Sequence, residues 1–98
     1  MTPTGSVKQL QLEIADWIGP INPNRTAHST IAKILEELGE LIASERMSDP
    51  LELADVAILV LDLFYLQDVD LADAVRQKMT INRDRTWRIA DNGAMSHK

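Results

Sequence analysis

The 98-residue sequence contains no cysteine and only four aromatic residues. Without cysteine, neither a disulfide scaffold nor a thiolate metal site is possible. The opening residues, MTPTGSVKQLQLE, lack the apolar run of a signal peptide. The apolar stretch over residues 51–66 holds three acids and is too short to span a membrane. We therefore expect a cytoplasmic protein with no membrane partner.

Positive charge is also scarce, because ten Lys and Arg residues face fifteen Asp and Glu residues and the net charge is −5. Non-specific binding to a nucleic-acid polymer needs a basic surface, so we do not expect such a partner. The sequence also lacks a Gly-x-x-x-x-Gly-Lys-Ser/Thr loop, and P-loop chemistry is not supported.

Hydrophobic residues make up 45% of the chain, which is enough for one domain with a modest core. Their helical spacing and the flanking cap residues predict an all-α, four-helix bundle. We expect one helical domain over residues 6–90, with flexible tails over 1–5 and 91–98. The predicted helices run from Ser6 to about Ile18, where Gly19-Pro20 stops the first; from Thr26 or Ser29 to about Glu45; from Asp49-Pro50 to Leu66 or Gln67; and from Asp70 to Asn82.

Two carboxylate pairs at helical spacing stand on either side of a short turn, Glu37 with Glu40 and Glu52 with Asp55. The helix after Pro50 is apolar on nearly all sides, so its acids need a positive partner if they are buried. A hard cation with oxygen ligands, such as Mg²⁺ or Mn²⁺, meets that need. The alternative is a solvated acidic helix face. For Glu36, Glu37 and Glu40 of the second helix taken alone, this is the better explanation.

The arrangement resembles the E-x-x-E…E-x-x-D signature of the all-α nucleoside triphosphate pyrophosphohydrolases, the MazG-like superfamily. The segments EELGEL at 36–41, ELADV at 52–56 and KMTINRDRTW at 78–87 carry the resemblance, which covers about residues 28–87. The last segment is most similar to the compact branch of phages and bacteria described as dATP/dGTP diphosphohydrolases. A phage-encoded member would work in the host cytoplasm.

The resemblance implies metal-dependent hydrolysis of a nucleoside triphosphate, a purine deoxynucleotide above all, to monophosphate and pyrophosphate by attack of metal-activated water. The implied metal ligands are Glu37, Glu40, Glu52 and Asp55. Glu36 or Glu37 is the candidate base that accepts the water's proton. The candidate substrate contacts are Lys78, Asn82, Arg83 and Arg85 on the last helix, Trp17 against the nucleobase, and His28.

Several alternatives stay open at this point. Trp17 could instead be an ordinary core or interface aromatic, His28 a helix N-terminal residue satisfied by the backbone, and Lys78 with its neighbours a solvated stripe. Asp62 is more simply a satisfied core residue than a base-selecting one. The same fold could act on dUTP, dCTP or diphosphates, and a non-enzymatic acidic interaction module is the rival from another class. We expect a homodimer or homotetramer, because so apolar a third helix needs cover from another subunit.

Overall fold

The computed structural model describes residues 6–98, which form four helices followed by a two-stranded hairpin. The predicted tail over residues 1–5 lies outside the described residues. The elements, in chain order, are α1 (Val7–Ile21), α2 (Ala27–Ser44), α3 (Pro50–Leu66), α4 (Leu71–Arg83), β1 (Trp87–Ile89) and β2 (Met95–His97). None of the helices in residues 6–98 combines the length and the apolar character needed to cross a membrane.

Each helix begins at a side chain that accepts a hydrogen bond from a free main-chain N–H of the first turn. Ser6 accepts from Gln9 N at 3.1 Å, and Thr26 accepts from Ser29 N at 3.0 Å. The other two caps are aspartates, Asp49 and Asp70, whose acceptor distances are both 3.0 Å. All four predicted helix starts are therefore confirmed.

The third helix is the centre of the packing, since α3 lies against α1, α2 and α4. Few side chains are fully buried, and the apolar ones are Ile14, Ala15, Leu41 and Leu61. Gln11 is also buried and ties α1 to the α3–α4 connection. Its side-chain amide donates to Val69 O at 2.8 Å, and its carbonyl oxygen accepts from Leu71 N at 3.2 Å.

The first helix continues past Gly19-Pro20, so the predicted stop at this pair is wrong. Proline has a φ angle suited to a helix, and its cost arises from the missing N–H and from crowding of the preceding turn. Here the loss falls in the last turn, and Asn22 closes the helix by donating its N–H to Ile18 O at 2.8 Å. A proline at a helix end is thus tolerated where one in the middle would kink it.

The C-terminal segment is a hairpin, whereas the sequence predicts a flexible tail over residues 91–98. The strands are antiparallel, with Ile89 paired to Met95. Between them Gly93 takes the left-handed φ of 88°, which favours glycine, and the Asn92 side chain accepts from Ala94 N at 3.0 Å. The turn residues Asp91-Asn92-Gly93 between short apolar stretches were the signal for this turn.

A stripe of apolar side chains on α2 faces solvent in the single chain. Its members recur at every third or fourth position and are between 41% and 67% exposed: Ile31, Leu35, Leu38 and Ile42. The sequence predicts one apolar face on this helix, and the structure divides that face in two. Ile34 and Leu41 turn inward, next to the buried Thr30. The other apolar residues of the face form the uncovered stripe.

Candidate active site

The contact between α2 and α3 positions the predicted metal ligands. Residues 45–49 link the two helices, and so short a link makes packed neighbours run antiparallel. The C-terminal half of α2, which carries Glu37 and Glu40, therefore lies beside the N-terminal half of α3, which carries Glu52 and Asp55. The facing arrangement that the sequence permits is present in the structure.

Glu37 lies on the inner half of α2, one turn from Ile34 and one turn from Leu41. Its side chain is only 19% exposed, against 57% for neighbouring Glu36. Helical spacing had placed both glutamates on the acidic flank, and the structure separates them. Glu37 faces α3 and Glu36 faces solvent.

Two grooves run along the α2–α3 contact. The first, of about 470 Å³, is lined by three of the four predicted ligands, Glu37, Glu40 and Glu52. The second, of about 380 Å³, is lined by Glu37 and Asp55, with Trp17 of α1 as its aromatic wall. Glu37 belongs to both grooves. The four carboxylates are thus gathered around one helix contact.

Two basic side chains that sequence reasoning missed pair with these carboxylates. Lys33 Nζ lies 3.1 Å from Glu36 Oε1 and 3.5 Å from Glu37 Oε1, and the hydrogen bond to Glu36 is the main reason why the pKa of Lys33 is raised. Arg46 Nη1 lies 3.1 Å from Glu52 Oε1. Because a raised pKa keeps Lys33 charged up to higher pH, its pairing with Glu36 and Glu37 extends further into the alkaline range.

The donor set fits a hard divalent cation, because four carboxylates supply the oxygen ligands that Mg²⁺ and Mn²⁺ prefer. Within residues 6–98, however, no three His, Asp or Glu side chains converge into a ready-made cage. Two of the four carboxylates are held in ion pairs instead, Glu37 with Lys33 and Glu52 with Arg46. The four carboxylates have donor atoms suited to such a metal, and all four lie along the α2–α3 contact.

Other predicted site residues are placed differently. His28 is exposed in the first turn of α2, and neither His28 nor Glu36 lines the two carboxylate grooves. Trp17 is 64% exposed on the second groove, so the reading of Trp17 as a core aromatic does not hold for the single chain.

The predicted phosphate-binding residues lie on α4 or, for Arg85, just after its end, away from the carboxylates. Asn82, Arg83 and Arg85 line a cleft of about 510 Å³ at the base of the hairpin, and Lys78 is exposed one turn earlier. Within residues 6–98 the helix α4 makes no close approach to α2. In the cleft, the Trp87 indole N–H donates to the main-chain oxygen of Asn82 at 2.9 Å. The Asn82 side-chain oxygen is buried and has no hydrogen-bond partner among the described residues.

The buried acid of α3 has a partner that the sequence did not reveal. Arg25, in the α1–α2 loop, donates two hydrogen bonds to Asp62, from Nε to Oδ2 at 2.6 Å and from Nη2 to Oδ1 at 2.8 Å. The bond to Asp62 raises the pKa of Arg25. The interpretation of Asp62 as a satisfied core residue is confirmed, and its cation comes from another element 37 residues away.

Comparison with known proteins identifies the family of this chain. The model of the dATP/dGTP pyrophosphohydrolase family matches residues 10–97. The chain belongs to this family. Its similarity to a dATP/dGTP diphosphohydrolase of Cyanophage S-2L reaches 61% identity over 92 residues, which are 94% of this chain and 88% of the relative. A dATP/dGTP diphosphohydrolase of Salmonella phage PMBT28 is 39% identical over 96% of this chain, which spans 32% of that longer relative.

A solved structure of a similar phage protein has the same fold. The Cyanophage S-2L MazG-like pyrophosphohydrolase, bound to dGDP and three catalytic Mn²⁺ ions per active site, superposes with a TM-score of 0.88. The identity is 60%, and the match covers 96% of this chain and 93% of that one. The predicted family, helical fold and enzyme class are confirmed. The individual site residues, the oligomeric state and the cytoplasmic location stay predictions.

Proposed function

We propose that this chain hydrolyses dATP or dGTP to the monophosphate and pyrophosphate with the help of a divalent cation. The observation that carries the proposal is the gathering of four carboxylates around the α2–α3 contact, in a chain 61% identical to a phage dATP/dGTP diphosphohydrolase. The acids lie beside an exposed aromatic side chain in open grooves, which suits a triphosphate and its base better than it suits a helical partner.

Glu37, Glu40, Glu52 and Asp55 are the residues that we propose as metal ligands. A bound Mg²⁺ or Mn²⁺ polarises phosphoryl oxygens and lowers the pKa of a coordinated water. The use of Mn²⁺ is supported by the Cyanophage S-2L relative, which binds three such ions per active site. Mg²⁺ is proposed because it shares the preference for carboxylate oxygen.

The proton of the attacking water needs a carboxylate as acceptor. Of the two candidates, Glu37 is favoured by its place on both grooves, whereas Glu36 is exposed and lines neither groove. Glu37 would then use one carboxylate oxygen as ligand and the other as base. Water adds to the α-phosphorus, the bond to the bridging oxygen breaks, and pyrophosphate leaves with that oxygen.

The base and the sugar need a separate binding surface. Trp17 forms the wall of the second groove, and its exposed indole offers a face on which a purine can stack. His28 lies at the start of α2, outside this groove, and we keep it only as a contact for the outer part of the nucleotide. Trp17 is therefore the base contact that the structure supports best.

Charge on the triphosphate also needs cationic partners. We propose that Lys78, Arg83 and Arg85 supply them from a second copy of the chain, and that Asn82 of the same segment adds an amide contact. Three observations support this: α4 stays away from α2 within one chain, an apolar stripe on α2 is uncovered, and Asn82 keeps a buried oxygen without a donor. A homodimer or homotetramer then completes each site.

The experiment that tests the proposal is product analysis by chromatography. Purified protein is incubated with each ribo- and deoxynucleoside triphosphate in the presence of Mn²⁺, Mg²⁺ or EDTA. We expect monophosphate and pyrophosphate from dATP and dGTP with either metal and no product with EDTA. Phosphate released one unit at a time would contradict the reaction, and no product from any nucleotide would favour the interaction module.

A further inference from the structure

The α1–α2 loop is fastened to α3 by a buried ion pair that the reaction itself does not use. Asp62 is 1% exposed and the Arg25 side chain 8%. Two parallel N–H···O bonds join them, and this fork fixes both distance and orientation. The pair therefore determines where the loop sits along α3.

Stability alone is a weak reason for such a pair. The desolvation of two buried charges offsets much of their attraction, and an apolar pair of similar volume often folds equally well. What an apolar pair does not supply is the directional link to the neighbouring main chain. Arg25 makes that link, because its third nitrogen, Nη1, donates to Asn22 O at 3.3 Å.

Asn22 closes α1, so this bond connects the ion pair to the end of the first helix. The same helix end forms one side of the second groove, where Trp17, Ile21 and Asn22 face Asp55. On α3, Asp62 follows Asp55 by two helical turns, or roughly 10 Å. One rigid helix thus carries both a proposed metal ligand and the anchor of the opposite wall.

We propose that Arg25 is a positioning residue for nucleotide binding. Through Asp62 it holds the α1 wall, with Trp17, at a set distance from Asp55, and so it governs affinity for the base and sugar without touching the phosphates. The inference rests on the proposed function, because it presumes that the second groove receives the nucleoside.

The test compares substitutions that keep the fold but remove the fork. The double variant Arg25→Met/Asp62→Leu replaces the pair by apolar side chains, and Arg25→Lys keeps the charge with a different geometry. Arg76→Met, on the exposed face of α4, is the matched control for loss of one arginine. Helicity and thermal unfolding are measured first, and kinetics are then measured with dATP.

We expect the KM for dATP to rise on the order of tenfold in both pair variants, with kcat within about twofold of the parent. The inhibition constant of inorganic tripolyphosphate, which has no base or sugar, should be unchanged. The Mn²⁺ concentration for half-maximal rate should also stay the same. Arg76→Met should match the parent in every assay.

An unchanged KM in a folded pair variant would overturn the inference, and so would a parallel weakening of dATP and tripolyphosphate binding. If the double variant does not fold, the KM for dATP and the inhibition constant of tripolyphosphate in Arg25→Lys decide the question. A parent protein without activity towards any nucleotide would instead count against the proposed function, so the two failures are distinguishable.

Discussion

Glu37 shows at the scale of one residue what a sequence pattern leaves undetermined. Helical spacing places it among the acids of α2, but that spacing does not say which of two adjoining strips turns inward. The structure puts Glu37 in line with Ile34 and Leu41, facing α3, and leaves Glu36 outside. A carboxylate on an inner strip between apolar neighbours is the kind of group whose burial needs compensation.

The same limit explains the three missed basic residues. Lys33 was within reach of pattern reasoning, because it precedes Glu37 by one helical turn and Glu36 by three residues. Arg46 was not, because it lies in the link between two helices and shares no helical spacing with Glu52, and Arg25 was not, because its partner Asp62 is 37 residues away on α3. Pairs that are close in space and distant in sequence leave no mark on a single sequence.

Asp55→Asn tests the metal assignment at this scale. The amide has the shape of the carboxylate but not its charge, so we expect Mn²⁺-dependent turnover of dATP to fall on the order of a hundredfold or more. Because Asp55 is exposed, the free energy of unfolding should change by less than about 0.5 kcal/mol. Initial rates and circular dichroism measure the two effects.

Glu13→Gln is the control for Asp55→Asn, since Glu13 is an exposed acid on α1 away from the grooves. It should retain the parental rate. Substantial Mn²⁺-dependent activity in Asp55→Asn would remove this residue from the ligand set.

At the scale of elements, the sequence predicts helix starts well and helix ends less well. A start depends on one side chain bonding to an N–H two or three residues away, as at Asp49, and so it is local information. The end of α1 depends on where the chain turns next, and Pro20 alone does not determine that position. The hairpin was missed because strands of three residues have no periodicity to detect, although the turn at Asn92-Gly93 was visible.

The cap of α4 gives a prediction for stability. Asp70→Ala removes the acceptor for Asp73 N, and we expect a loss of about 1 kcal/mol in the free energy of unfolding. For a domain of this size that is a fall of roughly 4–8 °C in Tm. Thermal unfolding followed by circular dichroism measures it. Asp70→Ser, which restores a capping oxygen, should recover most of the loss, and equal Tm values for the Ala and Ser variants would show that the cap is not the cause.

For the whole molecule, the single chain is less compact than its length allows. Its radius of gyration is 15.7 Å, against about 13 Å for a compact domain of this length. The hairpin contributes, because within the described residues α1, α2 and α3 make no close approach to it. Together with the uncovered stripe on α2, this extension supports the prediction from the sequence that other subunits complete the core.

Mixing two inactive variants tests whether those subunits also complete the site. Asp55→Asn damages the carboxylate side and Lys78→Ala the cationic side. If the two sides come from different copies, random reassembly of a dimer should restore about a quarter of the parental sites. The rate of dATP hydrolysis is measured after the variants are dissociated and refolded together, with each variant refolded alone as the control. No recovery in the mixture would mean that each chain builds its site alone.

The ion pairs of Lys33 and Arg46 also bear on the order in which the enzyme is made. Like charges crowded on two facing helices repel one another, yet Glu37 and Glu52 each have a cation of the same chain beside them. A newly synthesised chain can therefore close α2 on α3 before it meets any ion. On the proposed ligand set, metal binding would replace one set of positive charges by another after the two helices have packed.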